Sequence, residues 1–309
     1  MRYVAGVDGG GTKTAVTVMD ETGRTIKTFA SGGINYNGRD EAEVRGHLAE
    51  IVTMLDEACG GLASCVQLVV GAAGVSNPTV PGRLTAALRE SGYGGGIHIV
   101  GDHETALFGA LEREHGMILI AGTGSICFGR SESGAVHRTG GFGHLIDDEG
   151  SGYSIGRDVL SAVVRSHDGR APATALAELT YAKLGIGSVA EIVGFVYDRR
   201  TGKQDIAALA PLLSEACALG DEAALRIAQH TAAELVQLVL PVAERLTLVD
   251  GELAMAGSVL LRSEHVREAF VARLRESCPG VRAIAPRRDA SAGAALMALR
   301  VLDGESQVF

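Results

Sequence analysis

The chain has 309 residues, 46% of them hydrophobic, which gives apolar material for two ordinary domains and excludes a globally disordered chain. Lys and Arg number 28 against 37 Asp and Glu, a net charge of −9 without a basic block, which excludes a protein that binds nucleic acid by neutralising phosphates. The five cysteines (Cys59, Cys65, Cys127, Cys217 and Cys278) contain no C-x-x-C pair, so neither a disulfide framework nor a structural zinc site is expected.

From Met1 the chain enters a strand-like run at once, so no secretory signal is expected, and no apolar stretch is long enough to predict a membrane span. Tyr3 to Asp8 reads as a strand, residues 8–14 as a glycine turn, Ala15 to Asp20 as a second strand and Thr25 to Ala30 as a third. Between Asp40 and Ala58, the spacing of Val44, Leu48, Ile51, Val52 and Leu55 predicts a helix. A strand at Val66 to Val70, a helix after Pro81, a strand at His98 to Val100 and a helix from near Glu104 complete the order β-β-β-α-β-α-β-α. The second half repeats it. Strands are predicted at Met117 to Ala121, Ile126 to Arg130 and Ala135 to Thr139, followed by a long helical region from near Tyr153 to about Leu246. Then come a strand at Leu253 to Ala256, a helix at Glu264 to Glu276, a strand at Val281 to Ala285 and a last helix at Ala290 to Val301. A duplicated α/β plan of this kind is expected to place two sheets about a cleft, with each glycine turn aiming backbone N–H groups at one phosphate chain.

In Asp8-Gly9-Gly10-Gly11-Thr12-Lys13-Thr14, Gly10 and Gly11 permit close backbone approach to phosphate oxygens. Thr12 and Thr14 offer hydroxyls, Lys13 a cation, and Asp8 a carboxylate for Mg²⁺, directly or through water. The spacing is not that of a Walker A loop, and an ordinary glycine hairpin could carry the same residues. What strengthens the phosphate reading is Gly122-Thr123-Gly124-Ser125 at the matching turn of the second half. Asp102 follows a predicted strand at its carboxyl end, where α/β sheets place their sites; it reads as a general base or as a plain helix cap. Residues 140–152 pack Asp147, Asp148 and Glu149 between glycines, which suits a substrate loop that grips vicinal hydroxyls or a helix N-terminus enriched in acids. Asn35, in a loop after Gly32-Gly33, reads as a turn former or as a polar substrate contact. Ala256-Gly257-Ser258-Val259 reads as a close backbone approach, here to an adenosine.

Together these motifs, in this order, resemble the N-acetylglucosamine kinase-like proteins of the BadF/BadG/BcrA/BcrD ATPase family, part of the sugar kinase/Hsp70/actin superfamily. The likeness runs from about Val4 to Leu296. It implies two ribonuclease H-like (actin-like ATPase) domains facing a nucleotide and sugar cleft, at 1–118 and 119–309, the second with a helical insertion and with a final helix that can pack back on the first. It also implies an ATP- and Mg²⁺-dependent, homodimeric, cytoplasmic kinase that phosphorylates the 6-hydroxyl of an amino sugar, with N-acetylglucosamine as first choice. Thr12 and Thr123 fall at ATP-phosphate positions and Ser258 at a nucleotide position; Asn35, Gly141, Phe142, Gly143 and Asp148 fall at sugar positions, and Asp102 at the catalytic base. Phe142 replaces a usual Trp and Asp147 a usual Gly, which keeps N-acetylmuramic acid and glucosamine as alternatives. An activator ATPase of a 2-hydroxyacyl-CoA dehydratase-type enzyme is a further alternative, but it needs cluster-bridging cysteines and only Cys127 lies near a nucleotide turn. A sugar-responsive repressor would need a helix-turn-helix ahead of the first strand.

Overall fold

The structure is a computed structural model that describes residues 1–11, 13–36, 40–75 and 77–304. The described residues divide into two compact units: Met1–His115 with the chain from Pro286 onward, and Gly116–Ala285.

Unit 1 is built on a meander of β1 (Tyr3–Gly9), β2 (Lys13–Asp20) and β3 (Thr25–Gly32). After it come α1 (Glu41–Cys59), β4 (Cys65–Ala72), α2 (Thr79–Glu90), β5 (Gly96–Gly101) and α3 (Asp102–Leu111). The sheet order is β3-β2-β1-β4-β5, with β4 parallel to β1 and β5 parallel to β4. Strand alternation sends neighbouring side chains to opposite faces. Ala5, Val7, Leu68 and Val70 pack with Val44, Leu48, Ile51, Leu84 and Leu88 on one face. Val4 and Val69 pack on the other with Phe108 and the alanines of the last helix. Asp40 caps α1 through the Ala42 N–H at 2.8 Å. α2 starts two residues before Pro81, in a first turn whose N–H groups have no helical partner, so the ring costs nothing there.

Unit 2 repeats the plan with β6 (Gly116–Ala121), β7 (Ser125–Arg130) and β8 (Val136–Gly140). The predicted helical region resolves into α4 (Gly152–His167), α5 (Leu176–Leu184), α6 (Val189–Tyr197), α7 (Lys203–Ala207), α8 (Pro211–Ala218) and α9 (Glu222–Arg245). Then follow β9 (Gly251–Ala256), the short α10 (Ser258–Arg262), α11 (Glu264–Ser277) and β10 (Val281–Ile284), in a sheet ordered β10-β9-β6-β7-β8. Read from β8, that order is the order of unit 1. The last helix, α12 (Ala290–Leu302), belongs to unit 1, where it lies against α3 and β1. Glycines allow the close fit: a Cβ on Gly6 would fall on the backbone of Ala295, and one on Gly293 on that of Thr105 and Gly109.

Candidate active site

In unit 1 the parallel register puts Gly9, Ala72 and Gly101 in one row at the carboxyl ends of β1, β4 and β5. Asp8 precedes that row on β1 and Asp102 follows it as the first residue of α3, just past the end of β5, so the topology gathers two carboxylates at the end where α/β sheets place their chemistry. Burial, then the charges of Asp102 and Asp289, push the Asp8 carboxyl up from 3.8 to about 6. Asp102 is not the helix cap. Gly101 occupies that position, and its N–H donates to Glu104 Oε1 at 3.0 Å. Asp102 Oδ1 accepts from the His103 N–H at 2.9 Å, and the side chain is 44% exposed, which leaves its carboxylate open to a substrate proton.

The first glycine turn is closed by the Gly10 N–H donating to Lys13 O at 3.2 Å, with Gly11 and Lys13 exposed. Among the described residues a Cβ on Gly11 would meet nothing within 4 Å, so none of their packing requires glycine there. Thr12 lies outside the described residues. Thr14 does not serve as a phosphate donor: it is fully buried in β2, and its hydroxyl donates to Gly32 O at 2.7 Å. Ile34 is buried and donates its N–H to Gly10 O at 3.3 Å, which sets the half-buried Asn35 beside this turn.

In unit 2 the second turn is tied to the acidic loop at three points. The Gly152 N–H donates to Gly122 O at 2.7 Å, Ser125 Oγ to Glu149 O at 2.7 Å, and the Ser125 N–H to Asp148 Oδ1 at 3.2 Å. Gly141 and Gly143 adopt φ of 75° and 96°, conformations that L side chains rarely take, and turn the loop around Phe142. Phe142 is exposed, with the Arg138 guanidinium 4.9 Å from its ring centroid. Its N–H donates to Asp147 Oδ2 at 3.1 Å, so the two positions that depart from the family pattern brace one another. Glu149 takes two bonds from Arg157, at 2.9 and 2.8 Å, and Arg157 holds its carboxyl below the ordinary value.

Asp148 differs from the open acceptor that the sequence predicts. It is 2% exposed, and its second oxygen lies 2.6 Å from Lys203 Nζ, a residue that no sequence motif marks. Both carboxylate oxygens therefore have partners within unit 2, because a charge buried this deeply requires them.

A cavity of about 420 Å³ in unit 2 is lined by Gly122, Thr123, Gln204, Pro211, Ser258 and Arg262 among others. It joins Thr123 of the second turn to Ser258 at the start of α10. The sequence reading holds α7 and α8 within one long helical region and does not separate α10 from its turn, since helices of five to eight residues leave little periodicity to read. Gly257, at φ 86°, answers a different need: a Cβ there would fall on the backbone of Ala121, so its close approach is to a neighbouring strand end. A larger cavity of about 550 Å³ is lined by His144, Tyr153, Arg157, Ile192, Val196 and Lys203 among others. Among the described residues no group of three or more His, Cys, Asp or Glu could hold a metal ion by itself. Cys127 is fully buried in β7 and burial pushes its thiol up, which disfavours it as a metal or cluster ligand.

The chain is similar over nearly its full length to known proteins. It is 33% identical over 301 residues to an N-acetylmuramic acid/N-acetylglucosamine kinase of Clostridium acetobutylicum, covering 96% of this chain and 98% of that one. It is 30% identical to an N-acetyl-D-glucosamine kinase of Dictyostelium discoideum, covering 95% of this chain and 97% of the relative. A solved structure from Chromobacterium violaceum, provisionally named an N-acetylglucosamine kinase, has the same fold with a TM-score of 0.78 at 23% identity, covering 97% of this chain and 99% of that one. Residues 5–298 match one family model, spanning all of unit 2 and most of unit 1, and the chain belongs to the BadF/BadG/BcrA/BcrD ATPase family.

Proposed function

We propose that the protein is an ATP-dependent amino-sugar kinase that transfers the γ-phosphoryl group to the 6-hydroxyl of N-acetylglucosamine. The observation that carries the nucleotide half is the cavity of about 420 Å³ that unites Thr123 with Ser258. The sugar half rests on the two relatives at 33% and 30% identity, whose names specify kinases of N-acetylated amino sugars. Asp102 accepts the proton as the hydroxyl oxygen attacks phosphorus and the bond to the ADP oxygen breaks. In unit 2 the N–H groups of the 122–125 turn stabilise charge on the transferred group and the loop 141–148 orients the sugar; in unit 1 the glycine motif assigns Gly10 and Gly11 to phosphate and the family resemblance assigns Asn35 to sugar.

Mg²⁺ suits the acidic end of unit 1. Asp8 is an oxygen donor whose proton affinity is raised by burial and by Asp102 and Asp289, and a divalent cation would relieve that excess of negative charge. Mg²⁺ ordinarily keeps several waters and uses one or two carboxylates, so one carboxylate acting through water is sufficient. Bound there, it supplies charge neutralisation at the phosphates.

N-acetylmuramic acid is the second reading. It is favoured by the cavity of about 550 Å³ that His144 and Lys203 open beside the sugar loop, space that a larger substituent could use. The test is ADP release over N-acetylglucosamine, N-acetylmuramic acid, glucosamine, N-acetylmannosamine and glucose. Highest kcat/KM with N-acetylglucosamine is expected; a preference for glucose, or no turnover on any of the five, overturns the assignment.

A further inference from the structure

Asp148 is the residue on which the sugar loop and the second glycine turn converge. It is one of three non-glycine residues with positive φ among the described residues, at 65°, a conformation that persists only when its surroundings enforce it. Its Oδ1 takes the Ser125 N–H at 3.2 Å and its Oδ2 takes Lys203 Nζ at 2.6 Å. A Cβ placed on Gly124 would lie 2.8 Å from that Oδ1 and 2.9 Å from that Nζ, so the ion pair rests directly on the turn.

Lys203 is fixed from behind. It is the first residue of α7, and α7 lies close against α4: a Cβ on Gly156 would fall on the backbone of Ile206, and one on Gly152 would meet Ala207 at 3.7 Å. α7 also stands between the two cavities of unit 2, with Lys203 lining the larger and its neighbour Gln204 the smaller. The helix gains nothing from a lysine at this position, because its N-terminus is the positive end of the dipole and favours an acid. The placement makes sense for Asp148.

We propose that Lys203 is a positioning residue for phosphoryl transfer: through Asp148 it locks the sugar loop to the 122–125 turn, so that sugar and phosphate are presented in one geometry. The inference rests on the amino-sugar kinase reading above. A lysine suits the role, since a compact ammonium can hold a carboxylate while keeping further donors in reach of the cavity that it lines.

The test compares Lys203→Met, Lys203→Arg and Asp148→Asn, each checked by thermal unfolding and by ATP calorimetry, in steady-state assays with the preferred amino sugar. Lys203→Met is expected to raise the sugar KM by about tenfold or more, with ATP affinity held within about twofold. Lys203→Arg keeps the charge and is expected to recover most of that loss. In the Asp148→Asn background, Lys203→Met is expected to add less than about twofold, because both substitutions remove one interaction. Hydrogen exchange in peptides spanning 122–130 and 141–152 should quicken in Lys203→Met, a readout that stands even if that variant is too unstable for kinetics. A folded Lys203→Met enzyme with unchanged sugar KM, kcat and exchange overturns the proposal, as does full additivity with Asp148→Asn. A wild-type chain that turns over no amino sugar overturns the kinase reading and this inference with it; an active wild type with an indifferent Lys203→Met variant overturns this inference alone.

Discussion

Asp8 provides the sharpest quantitative test, because its environment disfavours the charge that it carries at neutral pH. Its carboxyl sits at about 6 instead of 3.8, through burial first and the Asp102 and Asp289 charges second. Between these two values the native state holds a proton that the unfolded chain has already released. Its contribution to stability is therefore fully present below about pH 4 and is lost as pH rises through about 6. Roughly two pH units at about 1.4 kcal/mol each give a loss of about 3 kcal/mol by pH 7. Asp8→Asn removes the titration while keeping size and a polar head group. In chelator and without nucleotide, the variant should match the wild type near pH 4 and exceed it by about 2–3 kcal/mol near pH 7. Urea unfolding followed by circular dichroism across that range measures the difference directly, and the many other titrating groups cancel between the two proteins. The same measurement in an Asp102→Asn background should move the midpoint down without abolishing it, since burial is the larger cause. Wild-type and Asp8→Asn stabilities that stay parallel from pH 4 to 7 would refute the reasoning, and with it the case for Asp8 as a charge-starved carboxylate.

Asp102→Asn should lower turnover by about 10²–10⁴-fold without lowering the melting temperature, because Gly101 and Glu104 make the cap of α3 without it and the Asp102 charge only disfavours the neighbouring Asp8 carboxylate; pre-steady-state ADP release and calorimetry on the same preparation check both halves. Thr14→Val should cost about 1 kcal/mol by deleting the bond to Gly32 O and leave ATP affinity untouched, which calorimetry can report. Gly124→Val should weaken ATP and sugar together, since its Cβ meets both members of the Asp148–Lys203 pair, and parallel binding isotherms would show whether the two losses travel together. Asp147→Gly should change the sugar KM only mildly, because that carboxylate is spent on the Phe142 N–H; a tenfold rise in KM, read as about 1.4 kcal/mol, would mean that Asp147 reaches the substrate instead.

Much of this architecture is legible in the sequence because the signals that specify it are local. Short apolar runs at Val4–Val7 and Val66–Val70, helical spacing from Val44 to Leu55, and glycine turns recurring after β1 and β6 are each contained within a few residues. Where local reading fails, the deciding partner is remote or the element is too short to show a period. The glycine motif of residues 8–14 reads as one loop, yet β2 already begins at Lys13; Thr14 is therefore paired and inward, and its hydroxyl belongs to the sheet. α10 has five residues, little more than one turn, so nothing in Ser258–Arg262 distinguishes it from the turn that precedes it. The acidic loop shows the limit most clearly. Asp147 and Asp148 are adjacent and chemically equivalent, and composition alone cannot say which of them is solvated. The choice is made by the left-handed backbone at Asp148, which turns its carboxylate inward, and by an ammonium 55 residues further along the chain that makes the inward charge tolerable. A buried carboxylate without that counter-charge would be expelled or neutralised, so the identity of residue 203 is as much a part of the sugar loop as the residues that form it.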